Sequence, residues 1–121
     1  MEDELKIYAI EVLQDNIVWI CANENTCFVI DPSVCEPIRD WISNRNLDLV
    51  GILQTHHHLD HIGGTEELLQ YWPNAEVVAS KKDLKKIPFQ TISVENNDEI
   101  CFSNIYIKVL NLPGHTNNHI G

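Results

Sequence analysis

"THHHLDHIGG", residues 55–64, places His56, His57, His58, Asp60 and His61 within six consecutive positions of a chain that has six histidines altogether. Imidazoles fill a core poorly, because each ring nitrogen needs a partner. The run directly follows "LDLVGILQT", 47–55, which is almost continuously apolar, as a strand buried on both faces is. It ends on Gly63 and Gly64, which permit a tight bend. A chance tract of surface histidines needs neither neighbour. The run therefore reads as a metal site at the carboxyl end of a central strand. His56 and His58 are two apart, so in an extended segment both rings face one point. His57 then points elsewhere and reads as a supporting residue. Imidazole with carboxylate suits zinc, iron or manganese rather than calcium.

Working outward, the N-terminal side reads as a meander of short strands at 5–13, 17–22 and 26–31, separated by the turn signals "QDN" and "NEN". "DPS" breaks the pattern, and Ser33 is placed to cap a helix from about Val34 to Arg45. Ile38, Trp41 and Ile42 give that helix one apolar face. On the C-terminal side, Thr65 caps a short helix over 65–72, followed by strands at 75–80, 91–94, 99–102 and 104–112. "LPGHTNNHIG", 112–121, is then a loop following a strand. If its strand ends beside the first, His115 is delivered to the same place as the histidine run. His119 reads as a supporting residue, and Thr55 and Thr116 as hydroxyl partners of backbone or ligands. The class is mixed α/β with a layered sheet.

The 121 residues make one domain, 1–121, and 44% hydrophobic residues suffice for a core. Eight basic against eighteen acidic residues, net charge −10, argue against a nucleic acid or an anionic membrane as partner. "KKDLKK", 81–86, reads as a solvated face. The start, "MEDELKIYAI", lacks the features of a signal peptide, and no run approaches a membrane span. Cys21, Cys27 and Cys101 sit in apolar strand-like runs and read as buried free thiols, which points to reducing cytoplasm.

The string His56-His57-His58-Leu59-Asp60-His61, H-x-H-x-D-H, resembles the signature of the metallo-β-lactamase fold. The longer "THHHLDHIGG" resembles the glyoxalase II branch, the hydroxyacylglutathione hydrolases. So do "LQDNIVWI" (13–20), "VIDPS" (29–33) and "LPGHTNNHIG", in that order along nearly the whole chain. The pattern is departed from in two places: Ile17 stands where a tyrosine is usual, and Asn117-Asn118 replaces a pair usually carrying glycine. The resemblance implies the N-terminal half of an αββα sandwich, truncated at its C-terminal end. It also implies two divalent metal ions, most readily zinc, with iron or manganese as alternatives. His56, His58 and His115 would hold one metal, a complete set, while Asp60 and His61 belong to the second. Asp60 would also orient the attacking water. The family's bridging aspartate, last histidine and glutathione-binding region are expected beyond Gly121. The implied substrate is a small glutathione thioester, S-lactoylglutathione, hydrolysed to D-lactate and glutathione. A lactonase or other hydrolase of the same fold, a one-iron persulfide dioxygenase, and an inert truncated chain stay open as alternatives.

Overall fold

The computed structural model describes residues 6–12, 16–55, 64–83, 87, 89–95, 97–102 and 105–108. Three strands open the chain: β1 (Lys6–Val12), β2 (Asn16–Ala22) and β3 (Thr26–Ile30). They pair antiparallel, Tyr8 opposite Ile20 and Cys21 opposite Phe28. The β2–β3 turn is built by Asn23, whose Oδ1 accepts from the Asn25 and Thr26 amides at 3.1 and 2.8 Å. This is the side-chain-to-backbone bonding that makes asparagine a turn residue. From β3 onward the sheet turns parallel. Helix α1 (Glu36–Asn44) carries the chain to β4 (Asp48–Leu53), and helix α2 (Thr65–Tyr71) to β5 (Glu76–Ser80). A 3-10 turn, Lys81–Asp83, then begins the path to β6 (Ile92–Val94). Among the described residues the sheet order is β1-β2-β3-β4-β5-β6, with β3 to β6 mutually parallel. A second, two-stranded sheet pairs β7 (Glu99–Phe102) with β8 (Ile105–Lys108).

The two faces of the large sheet are both used. On one face Val18, Ile20, Val29, Ile52 and Val77 meet Ile38 and Ile42 of α1 and Leu68 of α2, every one of them fully buried. Each such isoleucine or leucine contributes about 1.5–3 kcal/mol on leaving water. On the other face Cys21, Phe28, Val78 and Val94 meet Ile100 and Ile107 of the small sheet. The layers are therefore helices, sheet, and the beginning of a second sheet, the arrangement expected for the N-terminal half of an αββα sandwich. Strand β4 supplies Leu49 and Ile52 to one cluster and Val50 and Leu53 to the other, as a strand covered on both faces must.

Tyr8 packs on Trp41 with ring centroids 4.8 Å apart, and the Arg45 guanidinium lies 3.9 Å from the Trp41 ring centre. Arg39 joins the helices, donating to the Tyr71 hydroxyl at 2.9 Å.

Several expectations are corrected. Ser33 does not cap the first helix: the N-cap is Cys35, with no side-chain bond, and Pro37 occupies the first turn. Pro32 and Val34 instead lie against Gly64, the helix starts at Glu36, and the buried Ser33 hydroxyl has no partner among the described residues. Thr65 is the first residue of α2 rather than its cap, which is Gly64. Cys101 is exposed, not buried, because alternation along β7 turns Ile100 inward and Cys101 outward. Cys21 and Cys27 are buried as expected, and Cys35 joins them. Lys81 and Lys82 are exposed, as expected of a solvated face, while residues 84–86 lie outside the described residues. So do 13–15, 103–104 and 109–121.

Candidate functional site

Four parallel strands send their carboxyl ends to one edge of the sheet, the edge at which open α/β sheets bind ligands. Strand β4 ends at Leu53, and the histidine run begins three residues later at His56. The expectation that the run comes directly after a buried central strand is met. The candidate residues themselves, His56, His57, His58, Asp60, His61, His115, Thr116 and His119, lie outside the described residues. What the structure does describe is the frame on which the segment 56–63 is hung.

The entry side is fixed by Asp31. This residue leaves β3 with a φ of 52°, in the left-handed region that aspartate tolerates better than most side chains. Its backbone N–H donates to the Leu53 carbonyl at 2.8 Å. Its carboxylate accepts twice from one residue: the Thr55 amide on Oδ1 at 2.8 Å and the Thr55 hydroxyl on Oδ2 at 2.5 Å. Hydrogen bonds to an ionised carboxylate are roughly twice as strong as neutral ones. Thr55 is expected from the sequence to serve a backbone group or a ligand; its described partner is this carboxylate.

The exit side is fixed by Gly64, Thr65 and Gln54. The Gly64 amide donates to the Pro32 carbonyl at 2.8 Å. A Cβ on Gly64 would lie 2.5 Å from the Val34 carbonyl oxygen and 2.8 Å from the Cys35 nitrogen, so only glycine permits this approach of two backbones. Gln54 is 1% exposed; its amide nitrogen donates to the Thr65 hydroxyl, and its backbone N–H donates to Val78 of β5 at 2.8 Å. The Gln54 Oε1 is buried with no partner among the described residues. The segment 56–63 thus leaves and re-enters one small platform made from the ends of β3 and β4 and the start of α2. Cys35 borders this platform, but burial, reinforced by Glu67, pushes its thiol up and leaves it a poor nucleophile.

Asp31, Gln54 and Thr65 are not among the candidates that sequence reasoning singles out. A signal for Asp31 is present in "VIDPS": an aspartate before proline, where an apolar strand stops. Gln54, an amide closing an apolar strand, gives no comparable sign.

Residues 10–116 match the family described as the metallo-beta-lactamase superfamily. The chain is 51% identical over 119 residues to a hydroxyacylglutathione hydrolase of Prochlorococcus marinus strain NATL1A, covering 98% of this chain and 47% of that protein. With the hydroxyacylglutathione hydrolase of strain MIT 9303 it shares 53% identity over 114 residues, 94% of this chain and 44% of the relative. The chain therefore spans about half the length of the curated relatives it matches. Among solved structures, the ETHE1 protein of Myxococcus xanthus superposes with a TM-score of 0.81 at 26% identity, over 95% of this chain and 52% of that one.

Proposed function

We propose a function that starts from one fact: the chain belongs to the metallo-beta-lactamase superfamily. The proposal is that it is the N-terminal part, 1–121, of a metal-dependent thioester hydrolase acting on a hydroxyacylglutathione such as S-lactoylglutathione. The observation that carries it is the 51% identity to a hydroxyacylglutathione hydrolase across a segment that includes the whole histidine run.

The donor set fits divalent metals by its chemistry. His56, His58 and His115 are three neutral nitrogen donors, which with water make a complete zinc set. Asp60 and His61 add a carboxylate and a further imidazole for a second ion. The ions, when bound, would supply acidified water and a counter-charge for the carbonyl oxygen. Zinc is the proposed metal, with iron or manganese as the alternatives that the same donors accept.

The chain's own residues do the rest. Asp60 accepts a hydrogen bond from the attacking water and orients it toward the thioester carbonyl. His57, Thr116 and His119 hold the ligands in place through hydrogen bonds, the support that tunes such sites. A thiolate is a good leaving group, so no strong acid is required of the protein. The substrate is a small molecule; neither nucleic acid nor membrane is proposed as a partner, supported by the net charge of −10. Free cysteines at 21, 27, 35 and 101 support the reducing cytoplasm as the compartment.

The test is hydrolysis of S-lactoylglutathione by the complete protein. Activity should disappear on chelation and return with zinc. A zinc-loaded protein that hydrolyses lactones or β-lactams but leaves this thioester intact would overturn the proposal.

A further inference from the structure

We propose that Lys81 and Lys82, which follow β5, are specificity-determining residues that draw an anionic thioester to the carboxyl edge of the large sheet, an inference that rests on the thioester-hydrolase reading above. Strand β5 pairs in parallel with β4, Val78 opposite Leu53. The pairing continues in the 2.8 Å bond from the Gln54 amide to the Val78 carbonyl. His56 stands three residues past Leu53, and Lys81 three residues past Val78. Paired strands lie about 4.8 Å apart. The chain that goes on to the histidine run and the chain that goes on to Lys81 therefore leave the sheet as neighbours, at one edge.

Charge sets the consequence. The chain has a net charge of −10 and eight basic residues, yet four of the eight, Lys81, Lys82, Lys85 and Lys86, fall within six positions here. A glutathione thioester carries two carboxylates and one ammonium at neutral pH, so it is an anion that the chain as a whole repels. A local excess of the opposite sign at the edge reverses that and raises the concentration of such a ligand there. The acidic neighbours are Asp83 in the same turn and Glu95 just after β6. Glu95 lies 3.7 Å from Lys81, with the two side chains 63% and 67% exposed, and so open an ion pair is weak enough to yield to a competing carboxylate. Lys82 is exposed and has no ion-pair partner among the described residues; its amide donates to the Ser80 hydroxyl at 3.3 Å. The arginines of α1 and its end are engaged elsewhere, Arg39 by Asp40 and Tyr71 and Arg45 over Trp41.

The experiment gives the complete, zinc-loaded protein two thioesters: S-lactoylglutathione, and the lactoyl thioester of N-acetylcysteamine, which has the same reacting bond and no charge. The double variant Lys81→Gln, Lys82→Gln should lower kcat/KM for the glutathione thioester roughly three- to tenfold at about 0.01 M salt, through KM and with kcat kept. The difference should close towards about 1 M salt, as the Debye length falls from about 30 to about 3 Å. Calorimetric affinity for S-methylglutathione, which has the same charges and cannot be hydrolysed, should fall by the same factor. Turnover of the neutral thioester should not change. Lys6→Gln removes a lysine at the opposite edge, where Lys6 pairs with Ala22, and should leave both substrates unaffected. A loss below about threefold in the double variant at low salt overturns the inference, as does an equal loss on the neutral thioester or in Lys6→Gln. Should the double variant fail to fold, Lys82→Glu decides: a loss of about threefold or more, confined to the glutathione thioester, sustains the inference, and a smaller one overturns it. Wild type that hydrolyses neither thioester defeats the hydrolase reading and the inference with it; wild type that hydrolyses S-lactoylglutathione, with the double variant equal to it, defeats only the role of the lysines.

Discussion

Gly64→Ala tests whether the platform beneath the histidine run is a close approach of two backbones. Gly64 has φ −95° and ψ −7°, an ordinary right-handed conformation, so an alanine there meets no backbone strain. Its obstacle is space. The new methyl would sit 2.5 Å from the Val34 carbonyl oxygen and closer still to its carbon, where ordinary contact begins near 3.4 Å. The two segments must separate by about 1 Å, and the atoms that must move are main chain, which cannot rotate aside. Overpacking of this kind costs about 1–3 kcal/mol. Separation also lengthens the 2.8 Å bond from the Gly64 amide to Pro32. Its loss adds about 0.5–1.5 kcal/mol. The expected destabilisation is therefore about 2–4 kcal/mol, read from urea midpoints of the complete protein at constant slope. If Gly64 matters only as a helix cap, the change stays below about 1 kcal/mol. Val34→Ala should give no rescue, since the clash is with backbone. A cost under about 1 kcal/mol, or rescue by Val34→Ala, would refute the steric account.

Three further outcomes are expected. Burial pushes the Cys27 thiol up to about 12, with Asp48 and Cys21 adding to the effect. The group is neutral in both states below about pH 9, so its stabilisation is intact there. It is lost as pH rises from about 9 to 12, at up to ~1.4 kcal/mol per pH unit, and Cys27→Ala should remove that slope from denaturant titrations at high pH. His58→Ala should abolish zinc binding at the three-histidine site while His61→Ala weakens it far less, checked by elemental analysis after gel filtration; equal losses would show the ligand assignment to be wrong. In the first two strands, Ile7, Ile17 and Trp19 are 63%, 45% and 44% exposed. The 121-residue chain should therefore bind an apolar dye such as ANS, with Trp19→Ser reducing the signal, and a chain that binds none would contradict this exposure.

The parts of the fold that rest on side-chain period are legible in the sequence. The continuous apolar run of β4, bounded by polar residues, and the Ile38–Trp41–Ile42 face of α1 are read from the order of side chains, whereas β2, apolar from Ile17 to Ala22, does not reveal that Ile17 and Trp19 face outward. The position of the histidine run comes from β4 alone. Helix starts are less legible, because Ser33 and Thr65 are good caps in isolation. Tertiary contacts override both: the Thr65 hydroxyl accepts from the Gln54 amide nitrogen, and Ser33 is buried next to Val34, which Gly64 approaches. Cys101 escapes sequence reasoning because apolar neighbours in a strand do not reveal which face is covered. The Asp31 carboxylate meets Thr55 twenty-four positions along the chain, a pairing that no local pattern encodes.

The order of strands in the large sheet is also their order in the chain. A ribosome delivers about 5–20 residues each second, and each new strand here finds its hydrogen-bonding neighbour already made. Among the described residues no strand of the large sheet inserts between two made before it, so this part of the sheet can grow in the direction of translation. The histidine run emerges while β3 and β4 are the growing edge. On its near side Thr55 meets Asp31, already synthesised, and on its far side Gly64 meets Pro32. A chain stalled on the ribosome just after β6 should therefore already protect the Thr55 amide against hydrogen exchange, with both flanks of the histidine run held before any later residue exists.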